Sequence, residues 1–300
     1  MNTNQEDVLG RIRKRYDTLS KSQKRLADFI LSHYEKAVYM TAAKMGETVG
    51  VSESTVVRFA CEVGYDGYPG MQRALEEVIR VRLTALQRME VSMNRVEEDH
   101  ILSSVLRSDI DNIKDTLAMQ DLKTFQKVCQ KILDAKTVYI LGIRSSEPLA
   151  VYLGYYLNLF FNDVRPVVTG SISETFEKVM KITEQDVLIG ISFPRYSKRT
   201  LKAMAYAKAQ GACVIAITDS DQSPVAADAQ YVLKAQSNTV SFVDSIAGPL
   251  SLINALIVSL SISRSEQVEK NLADLERIWK EYDVYENVGE DEEDYGKLLS

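Results

Sequence analysis

Four side chains in one short stretch have the chemistry to contact nucleic acid. Hydroxyl groups occur at Ser52, Ser54 and Thr55, and Arg58 follows within one helical turn. If apolar Val56 points inward on a helix, these four side chains face outward. Hydroxyls near a helix start can contact phosphates and base edges, and an arginine can reach guanine N7 and O6 or a phosphate. The spacing predicts a recognition helix with these residues as its reading face.

The surrounding residues predict a tight turn between two helices, over Ala42–Cys61. Gly50 can take the positive φ that ends a helix sharply, and Ser52 is a good N-cap for the next helix. Gly46 is small where the two helices come close. This joint spacing favours a helix-turn-helix over a structural helical hairpin, the alternative reading. Two further cations are predicted to hold the flanking DNA backbone: Lys44 and Arg73.

A second set of polar residues lies in the C-terminal part, where hydroxyls and arginines follow short apolar runs. The ends of parallel strands and the helix N-termini that follow them favour bound anions. Each loop alone is a weak signal, because a serine there is more often a helix cap. The predicted effector-binding residues are Arg144, Ser145, Ser146, Ser192, Arg195, Ser197 and Ser241.

Two carboxylates near these loops raise the question of catalysis. Glu147 and Glu174 could act as acid or base, although each is more simply explained as a solvated carboxylate in a first helical turn. The two histidines, His33 and His100, lie outside the loops. The sequence therefore favours ligand binding without turnover, with no catalytic residue, metal or cofactor.

The elements that position the first set are helical throughout the first 80 residues. Ser20 and Gln23 fit a capping box. The glycine-rich run Gly64–Gly70 is expected to be a turn, with a helical pattern resuming at Met71. The charged stretch around Glu90–His100 is expected to link two domains.

The elements that position the second set alternate between short apolar runs and amphipathic helices, which predicts a parallel sheet covered on both faces. The expected strands are 138–141, 164–168, 187–191, 214–217 and 231–233. A long apolar segment, Ile246–Ile262, is expected to be a buried helix, and the acidic run 289–294 to be a loose tail. The predicted fold is an all-α head followed by a doubly wound α/β body with a five-stranded parallel sheet.

Composition is ordinary for a globular chain of two domains. The 300 residues are 45% hydrophobic and 26% charged, with a net charge of −6. The first 90 residues carry 14 basic and 12 acidic side chains, so the acidic excess lies in the body. Three separated cysteines suit core thiols in a reducing compartment, and no membrane span or signal segment is expected, which predicts a cytoplasmic protein.

Two segments resemble a known family of bacterial regulators. Within residues 19–75, LSKSQKRLADFIL and VGVSESTVVRFACEVGYDGYPGMQRAL resemble the N-terminal domain of the RpiR/MurR family. Over about residues 120–270, IGISFPRYSKRTLKAMAYAKAQGACVIAITDS resembles a SIS (sugar isomerase) domain, which implies phosphosugar binding. The implied domains are a head over 1–80, a helical linker over 81–119, a SIS domain over 120–270 and a C-terminal helix with tail over 271–300.

The body departs from the SIS pattern in both of its main loops. Ser146 matches the serine of the Gly-x-Gly-x-Ser loop, but Arg144 stands where that pattern has its second glycine. Ser192 and Ser197 match the flanking hydroxyls of the Ser-x-Ser-Gly-x-Thr loop, with Pro194-Arg195 in place of Ser-Gly. Arg195 could supply a phosphate contact, or the ligand could differ from a simple sugar phosphate.

We therefore expect a transcriptional regulator of a sugar or carbohydrate metabolism operon, controlled by a phosphosugar-like effector. A single head contacts little DNA, so a homodimer or a dimer of dimers is expected on a double-stranded operator. The alternative is a phosphosugar isomerase whose helical head mediates assembly. A ligand-binding protein without a DNA role is a third hypothesis, disfavoured by the hydroxyls and arginine on the head.

Overall fold

The computed structural model describes residues 7–82, 84, 86–89, 100–238 and 243–285. The chain divides into two compact units, Met1–Asp109 with Asn238–Asp244, and Ile110–Ser237 with Ser245–Ser300. Three predicted features lie outside the described residues: most of the linker around 90–100, Ser241 and the acidic run 289–294.

The first unit, the head, is helical as predicted. Its described helices are α1 (Val8–Arg15), α2 (Lys21–Ser32), α3 (Tyr34–Ala37), α4 (Ala42–Val49), α5 (Glu53–Glu62) and α6 (Gly67–Arg82). The predicted capping box begins α2, because Ser20 Oγ accepts the Gln23 amide and Gln23 Oε1 accepts the Ser20 amide. One apolar core joins the helices, with Leu26, Met45 and Phe59 fully buried in it.

The turn between α4 and α5 depends on two glycines. Gly50 has a φ of 75°, the left-handed conformation that ends α4 as predicted. A side chain at Gly46 would place its Cβ 2.7 Å from Val51 O and 3.3 Å from Glu53 N. Because Gly46 has no side chain, α4 packs directly against the backbone of the turn. This close contact fixes the direction of α5 relative to α4.

One boundary in the head differs from the expectation. The run Gly64–Gly70 was expected to be a turn, but α6 already begins at Gly67. Pro69 fits there, because the missing proline amide costs no hydrogen bond in a first helical turn. Tyr68 O–H then donates to Met40 O at 2.6 Å, and burial raises the Tyr68 pKa to about 12.

The second unit, the body, is a three-layer α/β structure. Its strands are β1 (Val138–Gly142), β2 (Val164–Pro166), β3 (Val187–Ile191), β4 (Cys213–Thr218) and β5 (Tyr231–Lys234). Its helices are α7 (Ile101–Ala118, shared with the first unit), α8 (Leu122–Leu133), α9 (Glu147–Leu157), α10 (Ile172–Val179), α11 (Lys198–Ala209), α12 (Ala247–Ser263) and α13 (Ser265–Glu281). All strand pairs are parallel, in the order β2-β1-β3-β4-β5, which confirms the predicted five-stranded sheet.

The strands bury both faces because successive side chains point to opposite sides. Val138 and Ile140 of β1 pack into the core beneath α8, α9 and α12. Tyr139 and Leu141 pack into the opposite core, beneath α10 and α11. The all-apolar strands expected from the sequence are therefore sandwiched between two helical layers.

Helix α7 lies unusually close to the start of α12. A Cβ at Gly248 would be 2.6 Å from Thr116 Oγ1 and 2.5 Å from Gln236 O. Thr116 is 4% exposed, and its Oγ1 accepts the Gln236 amide at 2.9 Å. Gly248 thus lets α7 hydrogen-bond to the segment that follows β5.

In the part of the chain that the structure describes, no single helix is both long and apolar enough to cross a membrane. Helices α12 and α13, bent by 98° at their junction, meet that length and composition only as a pair.

We predict that Gly46→Ala lowers the free energy of unfolding by about 1–3 kcal/mol, because the new Cβ must displace turn backbone rather than a flexible side chain. Chemical denaturation followed by far-ultraviolet circular dichroism measures this. Gly70→Ala is the matched control, since its Cβ would meet nothing closer than Tyr65 Cβ at 3.7 Å. It should stabilise α6 by about 0.5–1 kcal/mol. Equal effects of the two substitutions would contradict the proposed constraint.

Candidate functional site

The N-terminus of α5 carries a compact hydroxyl cluster. Ser52 is the N-cap, and its Oγ accepts the Thr55 amide at 3.3 Å. The same oxygen lies 2.9 Å from Ser54 Oγ and 2.8 Å from Thr55 Oγ1. Ser52 and Ser54 are exposed and Thr55 is half-buried. The predicted hydroxyls are thus brought together at the positive end of a helix dipole, a position that favours a bound anion such as a phosphate.

Arg58 is exposed one turn further along α5. Its Nε donates to Ser54 O at 3.2 Å, so the guanidinium lies over the hydroxyl end of the helix. Val57 beside it is 38% exposed, a residue that the sequence reasoning missed. An exposed apolar side chain on a reading face can contact a thymine methyl group. The face therefore combines hydrogen-bond donors with one apolar contact.

The two flanking cations are both exposed. Lys44 Nζ on α4 is engaged with Glu47 Oε2 at 2.9 Å, an exposed pair that a phosphate could displace at small cost. Arg73 is exposed on α6.

Three arginines outside the predicted site hold α5 in place. Arg15 donates to Glu62 O, and Arg11 Nη1 donates to Gly64 O at 3.3 Å, at the C-terminal end of α5. Arg25 Nη2 donates to Gly50 O at 3.1 Å, at the turn before α5. Cationic side chains near the C-terminal end of a helix donate hydrogen bonds to its last carbonyl groups and interact favourably with the helix dipole. These bonds join residues 25 to 53 positions apart, and no local sequence pattern signals them.

In the body, the loop after β1 turns at Arg144, which is left-handed with a φ of 59°. A Cβ at Gly142 would overlap Ser146 O, so this glycine is required for space. Ser146 is the N-cap of α9 and is 6% exposed, but its side chain makes no capping bond, unlike the cap expected from the sequence. Ser145 is exposed between them.

The loop after β3 is closed by its own hydroxyls. Ser192 is 4% exposed, and its Oγ accepts the Ser197 amide at 3.1 Å. Ser197 caps α11 by accepting the Thr200 amide at 3.3 Å. Between them Arg195 is exposed with a φ of 65°, again left-handed. Tyr196 O–H donates to Asp219 Oδ1 at 2.9 Å, which joins this loop to the loop after β4.

A further loop, after β2, is bound by Arg199, a residue that was not predicted. Arg199 Nη1 donates to Thr169 O at 3.0 Å and its Nη2 to Gly170 O at 3.3 Å, which ties α11 to this loop. The Glu174 carboxylate accepts the Gly170 and Ser171 amides at 2.9 and 3.3 Å, in a capping box at the start of α10. Glu174 is therefore engaged as a helix cap.

The parallel sheet brings the two main loops side by side. Gly142 and Ile191, the last residues of β1 and β3, are direct partners in the pairing register. Arg144 and Ser146 therefore leave the same edge of the sheet as Ser192, Arg195 and Ser197. The N-termini of α9 and α11 point to this edge as well, so it combines amide donors, hydroxyls and two guanidinium groups. This is the chemistry of an anion site.

A groove in the body begins at this edge and continues along α9. It has a volume of about 720 Å³. Its lining residues are Arg144, Glu147, Pro148, Val151, Tyr152, Tyr155 and Tyr156. Arg144 is the only one of these lining residues that belongs to the two main loops. The groove is therefore a surface of α9 rather than the anion site itself.

The cysteines only partly match the expected core thiols. Cys129 is buried and Cys213 half-buried, but Cys61 is exposed on α5, because it lies on the side of that helix away from Phe59. Among the described residues, no three His, Cys, Asp or Glu side chains cluster as metal ligands would.

The fold and these two sites define a two-domain protein with a helix-turn-helix head and a doubly wound α/β body. Residues 6–80 match the helix-turn-helix domain of the rpiR family, and residues 131–259 match the SIS domain. The chain therefore combines an rpiR-type helix-turn-helix domain with a C-terminal SIS domain.

Two curated relatives match most of the chain. One, from Haemophilus influenzae, is 25% identical over 84% of this chain and 90% of its own length. Another, from Clostridium perfringens, is 27% identical over 71% of this chain and 76% of its own length. Both are described as HTH-type transcriptional regulators, themselves uncharacterized.

Two solved structures share the fold. The sugar isomerase domain of an RpiR transcription factor from Sphaerobacter thermophilus is 27% identical, with a TM-score of 0.56 over 59% of this chain and 99% of that one. The Vibrio vulnificus NanR protein, complexed with ManNAc-6P, is 20% identical, with a TM-score of 0.56 over 92% of this chain and 99% of that one.

We predict that Arg195→Ile lowers the free energy of unfolding by about 1–2 kcal/mol, because a β-branched side chain at positive φ is strained more than arginine. Arg195→Gly should stay within about 0.5 kcal/mol of the parent, since relief of strain offsets the greater entropy of the unfolded glycine. Chemical denaturation compares them, with Lys136→Ile, at an exposed position without positive φ, as control. Equal losses in Arg195→Ile and Lys136→Ile would refute the left-handed conformation.

Proposed function

We propose that this protein is a DNA-binding transcriptional regulator of a sugar or carbohydrate metabolism operon, controlled by an effector bound in the SIS domain. The main support for DNA binding is that Ser52, Ser54 and Arg58 are all exposed near the start of α5. Hydroxyls and an arginine at that end of a recognition helix suit the major groove. The names of the two curated relatives support the same conclusion.

We propose a phosphosugar or a related anionic metabolite as the effector. Support comes from the loops after β1 and β3, which combine helix N-termini with Ser146, Ser192 and Ser197 at one edge of the sheet. The NanR protein of the same fold is described in complex with ManNAc-6P, a ligand of this chemical class.

We propose that the effector is bound without turnover. Glu174 is one of the two carboxylates near the loops. It accepts hydrogen bonds from the Gly170 and Ser171 amides and so caps α10. The other, Glu147, lies in the first turn of α9 and lines the groove along that helix. A regulator acting on DNA belongs in the cytoplasm, the compartment expected from the sequence.

We propose that the working unit is at least a homodimer. Helix α7 carries an exposed apolar stripe at helical spacing. Its members are Leu102, Leu106, Ile110, Ile113 and Leu117. A stripe spaced by three and four residues fits the matching stripe of a second copy. Two copies would supply two recognition helices for two operator half-sites.

The DNA-binding half is tested by Arg58→Ala and Lys44→Ala in the full-length protein. Arg58→Ala should weaken binding to the protein's own promoter region about 5- to 150-fold and relax discrimination at one base pair. Lys44→Ala should weaken binding evenly across sequences and reduce the salt slope by about one unit, as loss of a phosphate contact does. Fluorescence anisotropy at several salt concentrations measures both effects.

Arg277→Ala, which removes an exposed arginine of α13, is the charge-matched control and should bind DNA as the parent does. If the parent shows no salt-sensitive DNA binding, or if all three variants are equally impaired, the reading face is wrong.

The dimer is tested by Leu106→Glu, which puts a charge into the α7 stripe while keeping a good helix former. We expect a fall to monomer mass in sedimentation velocity, together with weaker DNA binding. Lys114→Gln changes net charge by the same amount on a polar side of α7, where Lys114 is exposed, and should keep the parent mass. A Leu106→Glu protein that keeps the parent mass would exclude the stripe as the dimer contact.

A further inference from the structure

Two arginines occupy backbone positions that arginine disfavours. Arg144 and Arg195 have φ values of 59° and 65°, in the left-handed region. In the described chain the remaining left-handed residue other than glycine is Asp283, a type that tolerates this conformation better. Non-glycine residues held in this region cluster at binding sites, where the strain serves a purpose. Here both positions lie in the loops that form the candidate anion site.

The donors for a phosphate are present without these two side chains. The N-termini of α9 and α11 and the hydroxyls of Ser146, Ser192 and Ser197 all lie at this edge. A glycine would give the same left-handed backbone at lower cost. The two guanidinium groups are therefore additional to what a phosphosugar site requires.

The additional charge is accessible. Both Arg144 and Arg195 are exposed, and their loops follow strands that pair directly at Gly142 and Ile191. One carboxylate, Glu147, lines the α9 groove together with Arg144. Asp219 instead accepts the Tyr196 hydroxyl. The mouth of the site thus presents two positive charges beyond the phosphate donors.

We propose that the effector carries a second anionic group besides its phosphate, a carboxylate as in a phosphorylated sugar acid, and that Arg144 and Arg195 recognise it. This inference rests on the proposed phosphosugar function and specifies the ligand class. A planar guanidinium group binds a carboxylate through two parallel hydrogen bonds. Two guanidinium groups at the mouth of the site therefore favour a ligand with a carboxylate over one with a neutral hydroxymethyl group.

The test uses probes that differ in the acidic group. Glucuronic acid 1-phosphate is compared with glucose 1-phosphate, and 6-phosphogluconate with glucose 6-phosphate, by calorimetry on the full-length protein at constant ionic strength. The acidic member of at least one pair should bind about 10-fold more tightly or better, the size expected for one added charge-assisted pair. Equal affinity within both pairs overturns the inference.

Variants assign the preference to the two arginines. The double variant Arg144→Gly with Arg195→Gly keeps the left-handed backbone and should reduce the preference to about 2-fold or less. The double lysine variant keeps the charges and should retain part of it. Lys136→Gln removes an exposed cation before β1, at the opposite edge, and should retain all of it. A preference that survives the double glycine variant overturns the assignment.

The outcomes separate this inference from the proposed function. If the two members bind equally well in both pairs, or if the double glycine variant weakens both members of the preferred pair alike, the arginines do not select a second anion, while phosphosugar binding stands. If none of the four sugar phosphates or inorganic phosphate binds, the proposed effector class fails and this inference fails with it.

Discussion

The parallel pairing of β1 with β3 is the constraint on which the body depends. Because Val138 is opposite Val187 and Gly142 opposite Ile191, both strands end at the same level. Every loop with binding chemistry then starts from one edge, and the helices that follow begin there with first-turn amides that have no partner within the helix backbone. A shift of one residue in this register would exchange the two buried faces of a strand and separate the loops. The candidate site is thus a result of sheet geometry more than of any single loop.

In the head, long-range hydrogen bonds to the two ends of α5 fix the position of that helix. The turn at Gly46 and Gly50 sets where α5 begins, and Arg11 and Arg15 of α1 hold where it ends. The exposed face carries little packing energy, since its side chains are polar and solvated. Its position is therefore fixed by residues that lie outside the exposed face itself.

Much of this architecture could be predicted from the sequence, because it depends on local patterns. The capping box at Ser20, the left-handed Gly50 and all five strands follow from spacing and residue type. The start of α6 at Gly67 was missed because glycine and proline usually signal a turn. The roles of Arg199 and Arg25 were missed because their partners are distant in sequence. Arg144 was recognised as a departure from a pattern, but its left-handed backbone was not visible in the sequence.

That backbone has a consequence for how the protein can evolve. Every arginine codon becomes a glycine codon through a single change at its first base, and the reverse change is equally short for every glycine codon. At Arg144 and Arg195 the main chain already has the conformation that glycine prefers. A lineage can therefore gain or lose a positive charge at the mouth of this site in single mutational steps, without rebuilding a loop. Ligand preference in such a domain can drift while the fold stays constant.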